Sequence, residues 1–219
     1  MRGRGPTLLF GGTFDPPHRG HVEPCRAAAD AIGAARIIVI PASISPTKTA
    51  RPTDDIHRLA MLELAFADEP RSVVSTIELD RAGPSYFVDT LRAMRAELGP
   101  DVDLRFLIGV DQALHFDRWR EPDAILALAT PVVLIRPPWS RTTFVHALSE
   151  VYGADDAERW GQWVLDAPLI DLSATQVRAM LRAGEDVGTA LPARVIAYIR
   201  EHGLYASPGA SSPAQTEQP

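Results

Sequence analysis

The sequence predicts a doubly wound α/β fold built on a mostly parallel sheet. Three observations carry that prediction. Short apolar runs recur along the 219 residues, amphipathic stretches of helical period separate them, and Gly or Pro closes the first two. Near-continuous apolar strands between helices need a sheet covered on both faces. In such sheets the ligand crevice lies at the carboxyl ends of the strands.

TLLF at 7–10 reads as a buried strand ended by Gly11 and Gly12. RIIVI at 36–40 is β-branched and closed by Pro41. Residues 73–79, 104–108, 131–135 and 164–170 supply the remaining strands. Helical patterns cover 20–31, 55–67, 87–98 and 121–129, and 174–181 and 192–202 close the folded part. In the second of these helices Leu59, Leu62, Ala65 and Phe66 share one face behind an N-cap at Asp54. The least regular stretch, 137–163, carries Trp139, Trp160 and Trp163 and reads as an insertion with a short helix over 144–152. A single domain is expected over 1–206. The tail 207–219 is rich in Ser, Pro, Ala, Gln and Thr and is expected to be disordered.

Lys and Arg number 22 against 28 Asp and Glu, a net charge of −6. That balance argues against general nucleic-acid binding, while leaving room for a local basic pocket that takes a phosphorylated metabolite. The single cysteine, Cys25, excludes an internal disulfide and a Cys-cluster metal site, and it reads as buried and inert. No stretch approaches the roughly 20 apolar residues of a membrane span, and 7–10 is too short for a signal-peptide core. A cytoplasmic protein with no membrane contact is the expectation. The oligomeric state is left open, a homodimer included.

The most informative stretch is GGTFDPPHRGH at 11–21. It follows a strand and opens a helix, where backbone N–H groups and the helix dipole favour an anion. Gly11 and Gly12 allow close backbone approach. His18 and His21, three apart, project to one side of the first turn and suit the oxygens of a polyphosphate. No third zinc ligand follows at a useful spacing. The stretch is neither a dinucleotide fingerprint nor a P-loop. A second strand-to-helix junction, LSATQVR at 172–178, offers Ser173 as N-cap and Arg178 about one and a half turns in.

Both stretches resemble motifs of the nucleotidylyltransferase superfamily: 11–21 the G-x-F-D-P-x-H-x-G-H motif, and 172–178 the I-S-S/A-T-x-I/V-R motif. Residues 187–205 are similar to the family's C-terminal helix and its His-Gly-Leu-Tyr ending. The resemblance implies a Rossmann-like nucleotidylyltransferase fold. It further implies an ATP site at Gly11, Gly12, Thr13, Phe14, His18, His21, Gly109, Asp111, Ser173 and Arg178. His18, His21, Lys48 and Arg178 would carry the charge of catalysis.

Three inner segments narrow the resemblance to the nicotinate-nucleotide adenylyltransferase family. GPSYFVDTL at 83–91 resembles the turn that holds the nicotinate carboxylate on backbone N–H groups, which places Ser85, Tyr86 and Phe87 at the acceptor. FLIGVD at 106–111 resembles the segment whose Asp contacts nucleotide hydroxyls. FDRW at 116–119 resembles the segment whose Trp stacks on the pyridine ring. On their own residues, Asp111 is equally a helix cap and Trp119 a core aromatic. The sequence departs from the family at Thr47, which replaces a usual His beside the retained Lys48, and at Phe87, which replaces a Thr.

The implied reaction is attack by the phosphate of nicotinate mononucleotide on the α-phosphorus of ATP. Mg²⁺ would be carried mainly on the phosphates, with no protein metal site. The rivals are an adenylyltransferase for nicotinamide mononucleotide or another phosphorylated acceptor, a regulatory protein that has lost catalysis, and a hydride-transfer enzyme. The missing dinucleotide fingerprint disfavours the last.

Overall fold

The computed structural model describes residues 5–43, 52–166 and 172–206. Thr47, Lys48, residues 167–170 of the last predicted strand and the tail 207–219 lie outside them. Strands β1 (Thr7–Gly12), β2 (Arg36–Pro41), β3 (Ser72–Val74), β4 (Leu104–Gly109), β5 (Thr130–Ile135) and β6 (Val164–Asp166) form one six-stranded sheet. Its order is β3-β2-β1-β4-β5-β6, and every pairing is parallel. Leu9 pairs with Ile38 on one side and Phe106 on the other, so β1 and β4 flank the point where the order reverses. At that switch point the loops leaving the two strands diverge and open a crevice.

Parallel neighbours need crossovers, which helices supply. They are α1 (Arg19–Ala31), α2 (Asp55–Phe66), α3 (Phe87–Leu98), α4 (Val110–Leu114), α5 (Pro122–Leu128), α6 (Arg141–Tyr152), α7 (Ala154–Gly161), α8 (Ala174–Ala183) and α9 (Ala193–Glu201). Strand alternation divides the core in two. Leu8, Ile37, Val39 and Leu107 pack with α1, α2, α8 and α9. Leu9, Ile38, Ile40, Phe106 and Ile108 pack with helices α3 to α7. Both faces are therefore dry, which is why the strands read as continuous apolar runs.

Three local expectations need correction. The run predicted as a strand over 73–79 pairs only as Ser72–Val74. Thr76 Oγ1 then donates to Asp80 at 2.7 Å and the Asp80 N–H closes onto the Thr76 carbonyl, a local turn that competes with the ladder. The 137–163 stretch is more regular than expected: the helix read over 144–152 is part of α6, and α7 follows it where no element was expected. Gly153 at φ 85° separates them, and α7 has Asp155 and Asp156 in its first turn and Arg159 in its last. Asp54 does stand at the N-cap of α2, but its side chain makes no capping bond.

Candidate active site

The turn leaving β1 carries His18 as the N-cap of α1, with extended backbone. His21, one turn on, returns its Nδ1 to accept the His18 backbone N–H at 3.2 Å. That bond places the neutral His21 proton on Nε2. The two imidazoles lie against each other, centroids 3.6 Å apart and tilted by 31°. His18 is almost fully buried, its Nδ1 has no hydrogen-bond partner, and burial pushes its pKa down to about 4. A neutral, desolvated imidazole at a helix N-terminus is poised for an anionic ligand, whose charge would restore its affinity for a proton.

The glycines ahead of the histidines have different reasons. A Cβ on Gly11 would meet nothing within 4 Å, so the backbone there is open to approach. A Cβ on Gly12 would lie 2.9 Å from the Phe14 ring. Phe14 is buried, at φ 49°, and packs edge-on against His21 at 5.1 Å. Gly12 thus makes room for a ring that backs a histidine, and Phe14 belongs to the wall behind the site.

The second junction closes onto the first. Ser173 caps α8: its Oγ accepts the Gln176 N–H at 3.2 Å, and Gln176 Oε1 accepts the Ser173 N–H at 2.7 Å. Arg178 donates through Nη1 to the Asp15 carbonyl at 2.6 Å and through Nη2 to Thr175 Oγ1 at 3.3 Å. One guanidinium therefore joins the two helix mouths.

Beyond β4, Gly109 is the N-cap of α4, and its N–H donates to Gln112 at 3.1 Å. Asp111 is exposed, with Arg136 at 3.9 Å. A cavity of about 540 Å³ lies here, bounded by Phe10, His21, Gly109, Asp111, Arg136 and Trp139 among others. It gathers His21, Gly109 and Asp111 from the predicted set. Trp139 was missed because it was assigned to an irregular insertion, and Arg136 because it falls between that stretch and the preceding strand.

The acceptor residues form a separate cluster. Tyr86 is the N-cap of α3 and Phe87 its first residue, so the Tyr86 and Phe87 N–H groups have no partner within the helix, whereas Asp89 N–H closes onto the Tyr86 carbonyl. Phe87 meets Trp119 edge-on at 5.7 Å and Phe106 at 5.2 Å. Trp119 leans on Phe116, which leans on Trp160 of α7. Tyr152 accepts the Asp117 N–H at 3.1 Å and so fixes the turn before Trp119. Beneath the turn lie buried Ser85 and Glu78, and Glu78 accepts from Thr90 Oγ1 at 2.8 Å. Burial raises the Glu78 pKa. Glu78 gave no sequence signal apart from being an acid in an apolar run.

The profile of cytidylyltransferase-like proteins matches residues 9–180, and the doubly wound sheet and paired helix mouths are those of a nucleotidyltransferase. The chain is 43% identical over 210 residues to a probable nicotinate-nucleotide adenylyltransferase of Aeromonas salmonicida, covering 92% of this chain and 98% of that relative. It is 35% identical over 209 residues to the nicotinate-nucleotide adenylyltransferase of Salmonella typhi, covering 90% and 97%. The nicotinic acid mononucleotide adenylyltransferase of Plasmodium falciparum complexed with NaAD shares the fold, with TM-score 0.70 over 92% of this chain and 97% of that one at 16% identity. The chain belongs to the nicotinate-nucleotide adenylyltransferase family. Among the described residues no helix is long and apolar enough to cross a membrane.

Proposed function

We propose that the chain transfers the adenylyl group of ATP to the phosphate of nicotinate mononucleotide, giving deamido-NAD and pyrophosphate. The observation that carries this reading is the pair of helix mouths tied by Arg178 to the Asp15 carbonyl, with the His18 and His21 rings in contact at one of them. That pairing offers donors to a chain of phosphates from two sides.

In this mechanism a phosphate oxygen of the mononucleotide attacks the α-phosphorus. The new O–P bond forms as the bond to the β-phosphate oxygen breaks, and pyrophosphate leaves with the electron pair. The attacking phosphate is already largely ionised near neutral pH, so no strong general base is needed. Catalysis is then positioning and charge stabilisation. His21 Nε2–H and the Arg178 guanidinium supply donors, and we assign Ser173 and the Gly11 backbone to the phosphates with them. His18 contributes its second imidazole, and Lys48 a further cation. Gly109 and Asp111 would meet the nucleoside from the cavity side.

The donor set around the helix mouths is imidazole and guanidinium, which suits phosphate oxygens, whereas Mg²⁺ takes oxygen ligands. We therefore read Mg²⁺ as carried on the phosphates, where it neutralises part of their charge. For the acceptor, the N–H groups at Tyr86 and Phe87 would hold the carboxylate beside Trp119, and Ser85 would shape that turn. Incubation with ATP, Mg²⁺ and nicotinate mononucleotide should release pyrophosphate in step with the dinucleotide. Release independent of the acceptor would overturn the reading.

A further inference from the structure

The His-Gly-Leu-Tyr ending has no role in the mechanism above, yet the chain spends unusual geometry on it. Helix α9 stops in a full two-bond turn: the Gly203 N–H donates to the Arg200 carbonyl, and the Leu204 N–H to the Ile199 carbonyl at 3.0 Å. Gly203 takes φ 59°, which a residue without Cβ adopts freely. Leu204 is thereby laid against the core face shared by α1, α2 and α9, and the next residue is aimed at the β1–α1 turn. Tyr205 Oη donates to Asp15 Oδ1 at 2.5 Å across 190 positions of sequence.

Asp15 is nine-tenths buried. Its other oxygen accepts the Thr53 N–H at 3.3 Å, and its carbonyl is the one on which Arg178 rests. A third brace comes from Arg58, fully buried, which donates to the Thr53 carbonyl at 3.0 Å and the Thr13 carbonyl at 2.7 Å, and pairs with Asp55. The turn at 13–15, the segment 53–58, Arg178 and Tyr205 thus meet around Asp15, two of them on its carboxylate.

Among the described residues, two of the three non-glycine ones with left-handed backbone sit at this junction: Phe14 at φ 49°, directly before Asp15, and Tyr205 at φ 61°. Such backbone costs free energy and persists only where its surroundings hold it. Here it is held on both sides of the same hydrogen bond.

We propose that Tyr205 is a positioning residue for the phosphate clamps: through Asp15, its hydroxyl fixes the carbonyl that holds Arg178. Without the hydroxyl, one Asp15 oxygen loses its buried partner, the side chain can turn, and the Asp15 carbonyl moves with it. Arg178 then loses the anchor that joins the two helix mouths. Tyr205 itself touches no phosphate. The inference rests on the ATP site proposed above.

Titration calorimetry with ATP and Mg²⁺, and separately with nicotinate mononucleotide, on the intact protein, Tyr205→Phe, Arg178→Ala and the double variant tests it. Tyr205→Phe should weaken ATP about tenfold, the scale of one lost charge-assisted hydrogen bond, and leave the mononucleotide unchanged. The double variant should bind ATP as Arg178→Ala does, because the two residues act through one contact. Wild-type ATP affinity in Tyr205→Phe, or losses that add in full, would overturn the proposal. If Tyr205→Phe does not fold, Asp15→Ala, which removes the carboxylate that Tyr205 holds, carries the same two outcomes. Failure of the intact protein to make dinucleotide would sink the function instead, while ATP titration, which needs no turnover, still decides the role of Tyr205.

Discussion

The phosphate side and the acceptor side of the crevice are built from opposite materials. Around the β1–α1 turn the supports are polar: buried Arg58 and Asp15, half-buried Tyr205 and the exposed capping pair of α8, all aimed at backbone carbonyls, N–H groups or each other. Around Trp119 they are rings in series, Phe87, Phe116 and Trp160, with one phenol, Tyr152, fixing the turn. Directional bonds fix the angle of a loop that must present donors to charge. Packed rings fix the plane of a wall that must lie against another ring. A buried polar brace fails sharply when one partner is lost, whereas an aromatic wall loses area by degrees.

That contrast is broken or sharpened by substitutions on each side. His21→Ala should lower turnover by about two orders of magnitude or more, since a donor that strengthens as charge develops contributes about 3–4 kcal/mol. Its melting temperature should hardly change. Near-wild-type turnover would remove the phosphate side from the chemistry.

His18 gives a pH signature. Its folded pKa of about 4 lies below the ordinary histidine value, so the unfolded chain takes up the proton first. The stability it contributes is complete above about pH 6.5 and is lost as pH falls toward about 4. Urea unfolding should show about 2 kcal/mol less stability at about pH 5 than at about pH 7 from this group. His18→Asn should flatten that slope. An unchanged slope would show that burial does not hold His18 neutral.

A crossed pair is the smallest and most discriminating test. Arg178→Ala should weaken ATP while sparing the mononucleotide, and Trp119→Ala should do the reverse by about tenfold or less, the scale of ring stacking. Equal losses of both ligands in either variant would merge the phosphate side and the acceptor side into one region.

Much of this was legible locally. Strand, Gly pair and two histidines at a helix start need only neighbours in sequence, as does Ser173 with Gln176 three residues on. What was not legible is long-range or masked by residue type. Nothing near Asp15 names Tyr205 as its partner, and nothing near Arg58 shows that an arginine among Leu59, Leu62 and Phe66 faces inward to cap two loops. Helix α7 did carry signals, acids first and arginine last, but its polar surface concealed Trp160 and Ala157 as its buried face. Strand β3 was overdrawn because β-branched residues continue past the point where Thr76 and Asp80 turn the chain.

The central claim is adenylyl transfer to an acid-bearing mononucleotide, and a radiolabel on the α-phosphorus of ATP follows it directly. With nicotinate mononucleotide the label should pass into the dinucleotide. With the amide acceptor kcat/KM should fall roughly ten- to several-hundred-fold, because an amide NH₂ facing the N–H groups at Tyr86 and Phe87 leaves a buried donor unpaired at about 1–3 kcal/mol and forfeits charge assistance. Label left in ATP or released as AMP, or equal use of the two acceptors, would contradict the account.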